Sequence, residues 1–232
     1  MAGPGAAAEH LAAAWARVNA PSVLEGFVDF SAEISVIVAR GLDGSVAAFD
    51  PGLNVHQGGI LRTTTVPCGL PARVTTDAVL IAARIAAALD YVGVFALELF
   101  NIGDRLLANE LAPRVHNSGH WTIEGSETSQ FQNHLRAVLG LPLGDTRMVG
   151  RACMLNWIGE MPEAATVLRE AGGHWHDYGK SARAGRKVGH ATLRADSTAE
   201  LSASLGRVGA ALERDAQVQP VIAALSGISP GV

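Results

Sequence analysis

The chain has 232 residues, 48% of them hydrophobic and 17% charged, with a formal net charge of −4. That length buries a substantial core in one large domain or two small ones, and the acidic balance argues against a general nucleic-acid binder. Cys68 and Cys153 are too distant for a zinc spacing and too few for a disulfide framework, and Arg84, Asp90 and Glu98 interrupt the apolar stretch 78–100, so a disulfide scaffold, a structural zinc site and an ordinary membrane span are excluded and a cytoplasmic setting is expected.

Residues 6–18 read as an Ala-rich amphipathic helix ending near Asn19, with Pro21 as a stop, and Glu9 interrupts it where a signal peptide would be apolar. Residues 23–30 and 33–40 are β-prone, and Asp43-Gly44 is a hairpin turn before a strand at 46–49. Asn54 to Gly59 reads as a turn. Thr75, Thr76 and Asp77 offer caps for a helix at 78–89. A strand-like run, VGVFALELF, follows with Glu98 in it, and a second run at 106–110 ends on Glu110, with Gly103-Asp104 as the turn between them. After a polar loop, Ser126 is a candidate cap for a helix carrying Phe131, Leu135, Val138 and Leu139 at helical spacing, closed by Gly140 and Pro142. LPLGDT at 141–146 looks like a boundary. Beyond it, strands are expected at 151–158 and 187–193 with a helix at 162–171 between them, then an Ala-rich helical tail over 199–225 broken at Pro220 and a frayed end.

The carboxylates carry the strongest chemical signal. An unpaired Glu98 inside an apolar strand costs several kcal/mol unless its charge is compensated. In the expected hairpin it lies opposite Glu110 or nearly so, roughly 4.5 to 5.5 Å away at the backbone, and like charges so placed repel unless a cation sits between them. Two carboxylates with Asn109 adjacent suit Mg2+, which keeps waters and takes further ligands from substrate phosphates, with Mn2+ as an alternative. Two solvated carboxylates on an open sheet face would give the same pattern. The following loop holds Arg114, His116, Asn117 and His120, donors that suit a small planar anion such as bicarbonate, and Arg114 offers a bidentate fork. A solvated loop is the alternative, although Trp121 implies packing. Glu33 could accept ribose hydroxyls or simply face solvent, and His56 could meet a phosphate or only sit in its turn. Lys180, Arg183, Arg186, Lys187 and His190 form a cationic, Gly-punctuated patch suited to a phosphate. It is not a P-loop, because that pattern needs Gly where His174 stands. His174 and His176 have no evident third metal ligand and read as structural.

Five separated segments, EGFVDFSAEISVIVARG, NVHQGGILR, ALELF, NELAPRVHNSGHWTIEGS with TSQFQNHLRAVLGLPLG, and YGKSARAGRKVGH, together resemble the carboxyaminoimidazole ribonucleotide synthases, ATP-grasp enzymes of purine synthesis, over residues 25–190. The resemblance implies an α+β chain: the C-terminal lobe of an ATP-grasp fold over 1–143, incomplete at its N-terminus, a small β-rich C-terminal domain over 144–195, and a helical tail over 196–232. It implies ATP- and bicarbonate-dependent carboxylation of aminoimidazole ribonucleotide through carboxyphosphate, with ATP and Mg2+. It makes Glu98 and Glu110 the metal ligands, with Asn109 beside the triphosphate. Glu25, Gly26, Phe27 and Val28 become the hinge at adenine, Glu33 the ribose carboxylate and His56 a nucleotide contact. Arg114, His116 and Asn117 become the loop at bicarbonate and ribonucleotide, and Lys180, Arg186 and Lys187 the grip on the ribonucleotide phosphate.

The same resemblance sets Met1 after the family's glycine-rich phosphate loop and its N-terminal nucleotide-fold domain. The expectation is therefore weak or no activity alone, with a complementing N-terminal fragment or a homodimer as partner. A nucleotide-binding or assembly module without chemistry is the competing reading. A ligase for another substrate is disfavoured by the specific 109–125 block.

Overall fold

In the computed structural model, which describes residues 4–18 and 20–227, helix α1 (Pro4–Arg17) precedes an extended segment that leads into a mainly antiparallel sheet. Strands β1 (Ala32–Arg40), β2 (Val46–Ala48), β3 (Gly52–Gln57) and β4 (Ile60–Val66) come first, then helix α2 (Ala72–Ala88) and the hairpin β5 (Gly93–Ile102) and β6 (Arg105–Ala112). A 3-10 turn (Asn117–Gly119), a short helix α3 (Thr122–Gly125) and helix α4 (Gln130–Val138) follow. The chain closes with β7 (Arg151–Ile158), α5 (Ala164–Leu168), β8 (Gly173–Asp177), β9 (Lys187–Ala195), α6 (Thr198–Ala211) and α7 (Asp215–Ser226). The strands join one nine-stranded sheet in the order β6-β5-β1-β3-β4-β7-β9-β8, with β2 on β1.

Side-chain size decides how each face is covered. Helix α2 turns Ala78, Ala82 and Ala86, one helical turn apart, onto Ile34, Val36, Val38, Phe95, Leu97 and Leu99, and the absence of bulk on that stripe lets the helix lie close to the strands. On the other side of the same strands, Ile37, Ala39, Val94 and Ala96 meet Phe49, Trp121 and Met154. Helices α6 and α7 cover the third cluster with Leu201, Leu205, Val208, Val218 and Val221 against Leu155, Trp157 and Leu193. Among the described residues, no helix is long and apolar enough to cross a membrane.

Several expected elements shift. Residues 23–30 form no strand, because β5 holds one edge of β1 and β2 with β3 the other, so their β-prone sequence has no edge to pair with there. The expected turn at 54–59 is mostly strand β3, and Gly58 and Gly59, both at positive φ, make a tight turn into β4. Helix α2 starts at Ala72 after Pro71, six residues ahead of the expected start at 78, so Thr75, Thr76 and Asp77 lie inside it. Ser129, not Ser126, caps α4, in a reciprocal capping box with Gln132, while Ser126 donates to the Thr146 carbonyl at 3.0 Å. The tail breaks at 212–214, where Glu213 has a positive φ, rather than at Pro220. Pro220 is tolerated inside α7 because the Ala216 carbonyl, which a helical N–H at 220 would have met, accepts from the Gln57 side chain at 2.7 Å. The strands on either side of 141–146 are not separate sheets, since β4 pairs with β7. Asn19 and residues 228–232 of the expected frayed end lie outside the described residues.

Candidate active site

Strands β5 and β6 pair so that Glu98 stands directly opposite Glu110, and Ser35 of β1 faces Glu98 from the other edge. The register then slips between Glu98 and Leu99, which makes Asn109 the extra residue of a β-bulge. A bulge turns consecutive side chains toward one face, and Asn109 and Glu110 both line the same cleft. That cleft, of about 410 Å3, is also lined by Phe30, Glu33, His56, Leu61, Glu98, Phe100, His116 and Lys187. Phe30 stacks on Phe100 at 4.3 Å between ring centroids, forming one wall. The His56 ring nitrogen lies 3.1 Å from a Glu33 carboxylate oxygen.

Charge is unbalanced here. Burial, then the neighbouring Glu33 and Glu110 carboxylates, push Glu98 up to about 7, against the pull of His56 and Lys187. Burial also lowers Lys187 from the ordinary lysine value, partly offset by Glu98. Potential ligand atoms of Glu98, Glu110 and His116 lie within 4.8 Å of one another. An oxygen-rich pair whose buried member resists ionisation is the arrangement a hard dication relieves, so the residues present fit Mg2+.

His116 is held from several sides. Its backbone N–H donates to Gln130 Oε1 at 2.9 Å, and its carbonyl accepts from Gln130 Nε2 at 2.7 Å, so a fully buried side-chain amide pairs with it as a strand would. Gln130 in turn depends on Thr122, whose hydroxyl accepts from the Gln130 N–H at 3.0 Å and donates to the Gly119 carbonyl at 2.6 Å. The Ser118 N–H donates to His116 Nδ1 at 3.3 Å, which leaves the ring proton on Nε2. Burial, followed by Arg114, Lys187 and His56, pushes His116 down to about 4, so the ring is neutral at physiological pH.

Behind this loop lies a layer of histidines that spacing alone did not single out as a site. His176 bonds Glu124 at 2.7 Å and stacks on His190 at 4.2 Å, in keeping with the structural reading of His176. His190 Nδ1 meets the Tyr178 hydroxyl at 2.9 Å, and burial pushes this histidine down to about 2 and His120 down to about 4.

Not every expected residue converges. Glu33, His56, Glu98, Asn109, Glu110, His116 and Lys187 share the cleft. Arg114 is exposed beside it, donating to the Val115 carbonyl at 3.0 Å. Asn117 is turned to Asn156. Glu25, Gly26 and Phe27 are exposed in the extended segment, with Val28 half-buried, and none lines the cleft. Lys180 rests over the Tyr178 ring at 5.0 Å, and Arg186 donates to Ser181 Oγ at 3.0 Å. Gln130 and Asn156 were missed as site residues. Their signal was a polar side chain inside an otherwise apolar strand, as in ACMLNWI, or at the head of a helix.

The model of the ATP-grasp domain matches residues 5–131, and that of the phosphoribosylaminoimidazole carboxylase C-terminal domain matches residues 152–204. The chain belongs to the ATP-grasp family. The N5-carboxyaminoimidazole ribonucleotide synthase of Pseudomonas aeruginosa is 49% identical over 195 residues, which are 84% of this chain and 54% of that protein. The Escherichia coli synthase is 43% identical over 183 residues, 79% of this chain and 51% of that one. Among solved structures, N5-carboxyaminoimidazole ribonucleotide synthetase from Thermus thermophilus superposes with a TM-score of 0.83 at 52% identity, covering 88% of this chain and 57% of that chain. The Aspergillus clavatus synthase in complex with ADP and 5-aminoimidazole ribonucleotide gives 0.77 at 30% identity, covering 95% and 58%. This ATP-grasp chain thus spans about half the length of the relatives it matches, and its antiparallel sheet with helices is the fold they share in that part.

Proposed function

We propose that this chain serves purine biosynthesis through ATP- and bicarbonate-dependent carboxylation of aminoimidazole ribonucleotide. The observation that carries the reading is the Glu98–Glu110 pair across β5 and β6, with Asn109 brought alongside by the bulge and Lys187 and His116 opposite. The relatives named as synthases support the substrate, and the Aspergillus structure with ADP and ribonucleotide supports a site built for both ligands.

In this reading a bicarbonate oxygen takes the terminal phosphoryl group of ATP, leaving ADP and carboxyphosphate. The exocyclic amine of the ribonucleotide then takes the carboxyl group, and phosphate leaves. Glu98 and Glu110 hold Mg2+, or Mn2+ in its place, which when bound supplies neutralisation of the triphosphate charge. Asn109 donates to a phosphate oxygen. Glu33 accepts the ribose hydroxyls, with His56 keeping it oriented, and residues 25–28 meet adenine. Arg114, His116 and Asn117 form the loop at bicarbonate and ribonucleotide. The neutral His116 can donate from Nε2 without repelling Arg114. Lys187 brings positive charge to the reacting anions, and Lys180 and Arg186 meet the ribonucleotide phosphate.

The exposure of Phe27, where adenine is expected, and of Val23 and Leu24 just before it favours a second reading, a nucleotide-binding module that needs a complementing fragment or partner subunit for turnover. Phosphate release from MgATP, with and without aminoimidazole ribonucleotide and bicarbonate, separates the two. The first reading expects substrate-dependent release that Glu98→Gln abolishes. A folded chain that binds MgADP but releases no phosphate supports the second, and one that binds neither nucleotide nor ribonucleotide sinks both.

A further inference from the structure

Asn117 is already engaged on the protein side. Its Nδ2 donates to Asn156 Oδ1 at 2.9 Å, and its Oδ1 accepts from Asn156 Nδ2 at 2.6 Å, a reciprocal amide pair. Asn156 is fully buried in β7, and its Nδ2 also donates to the Leu61 carbonyl of β4 at 3.0 Å. A main-chain carbonyl only accepts, so Leu61 dictates which end of the Asn156 amide is nitrogen. The Asn156 oxygen then faces Asn117 and demands a nitrogen there. The Asn156 carbonyl is pinned as well, accepting from Gln217 Nε2 of α7 at 3.1 Å, while that nitrogen also donates to the Arg62 carbonyl at 3.1 Å. On its other side Asn117 meets the Tyr178 hydroxyl, which bonds His190 at 2.9 Å.

We propose that Asn156 is a positioning residue that fixes the Asn117 amide and through it the 114–117 loop, tying that loop to β4, β7 and the tail helix. In this arrangement Asn117 spends its hydrogen-bonding capacity on the loop's geometry, and Arg114 and His116 are left to meet the anion. The clamp stands on its own geometry, whereas its effect on bicarbonate rests on the proposed function.

The test has two arms. In side-chain amide spectra of the 15N-labelled chain, Asn117, assigned by its loss in Asn117→Ala, exchanges its protected proton at least about 10-fold more slowly than a free asparagine amide. In Asn156→Leu that protection disappears while the cooperative thermal transition remains. Should Asn156→Leu fail to fold, Asn117→Ala at the half-buried position gives the converse reading: the Asn156 proton on Leu61 stays slow and the one that faced Asn117 speeds up at least about 5-fold. In the phosphate-release assay either variant raises the KM for bicarbonate about 10-fold with the KM for MgATP within about 2-fold. A fast-exchanging Asn117 in the unmutated chain, or unchanged exchange in the variant, overturns the clamp. Lost protection with an unchanged KM for bicarbonate overturns the positioning role. If the unmutated chain shows no bicarbonate-dependent release, the functional reading fails while the exchange arm still decides the clamp.

Discussion

The two faces of β1 and β5 are built from the same strands and behave as different materials. Toward α2 the side chains are Ile34, Val36, Val38, Phe95, Leu97 and Leu99, all buried and all apolar. On the opposite face the run begins the same way, with Val94 and Ala96, and then reaches Glu98 and Phe100 as Ile37 gives way to Ser35 and Glu33. The strand side chains of the first face carry no titratable group, and burial raises the Cys68 thiol and the Tyr91 hydroxyl packed against them, which keeps both neutral. The second places carboxylates and histidines where water is scarce, so its stability depends on protons and ligands. The strand period separates the two functions, because successive residues of one strand serve opposite faces.

The largest effect should come from damaging the inert face. Leu97→Ala, at a position 2% exposed, is expected to cost about 2–5 kcal/mol in urea unfolding, by the same amount at pH 6 and pH 8. A strong pH dependence of that loss would mean the faces are not independent.

On the other face Glu98→Gln should stabilise the ligand-free chain. In the folded state the Glu98 carboxyl titrates near 7, above the usual 4.5, so the folded chain holds a proton that the unfolded chain has released between those values. Stability from this group therefore falls as pH rises through that window, and the full penalty, up to about 3 kcal/mol, is present above pH 7. Thermal or urea melts should show a gain for the variant at pH 8 that vanishes toward pH 4.5, and a gain at low pH only would contradict this. With Mg2+ and nucleotide present the order should reverse.

The histidine layer has the opposite sign. His116 and His120 at about 4 and His190 at about 2 lie below the usual 6.5, so the unfolded chain takes up more protons and stability is lost as pH falls below 6.5. His120→Gln should flatten that acid slope by up to about 1.4 kcal/mol per pH unit between pH 6 and 4.5, measured by urea unfolding across pH. The smallest expected effect is at the head of α4, where Ser129→Ala removes the capping box in front of Gln130. A loss of about 1 kcal/mol in the same assay is expected, with no change in the acid slope.

What could be read from the sequence follows the same division. The β5–β6 hairpin was legible from a Gly-Asp turn between two apolar runs, with Glu98 and Glu110 opposite or nearly so; the turn alone would set Glu98 against Asn109, and the bulge is what brings Glu110 opposite it. The bulge at Asn109 was not legible, since a one-residue slip leaves no mark in composition. Strand β3 was hidden because Asn54 to Gly59 read as a turn, and no element was expected over Ile60–Val66, where Thr63, Thr64 and Thr65 are buried polar residues. Thr64 and Ser35 both donate to Asn54 Oδ1, a pairing that only the folded sheet creates. The exposed face of α4, with Leu135 and Leu139, had the helical spacing but is not covered by the described residues, whereas the buried side carries Gln130, Asn133 and Ala137. Residue chemistry pointed Arg114 to a planar anion and Lys180 to a phosphate, whereas the roles of residues 25–28 came from the family resemblance, and no spacing argument would have assigned them.

The central claim is that Glu98 and Glu110 form a cation site that works with a nucleotide. Mn2+ binding to the folded chain in the presence of ADP, followed through the electron paramagnetic resonance of the free ion at pH 8, tests it most directly. The account predicts saturable binding that weakens at least about 10-fold in Glu98→Gln and declines as pH falls through 7, where Glu98 takes up its proton. Equal affinity in the variant, or binding that strengthens on acidification, would contradict it.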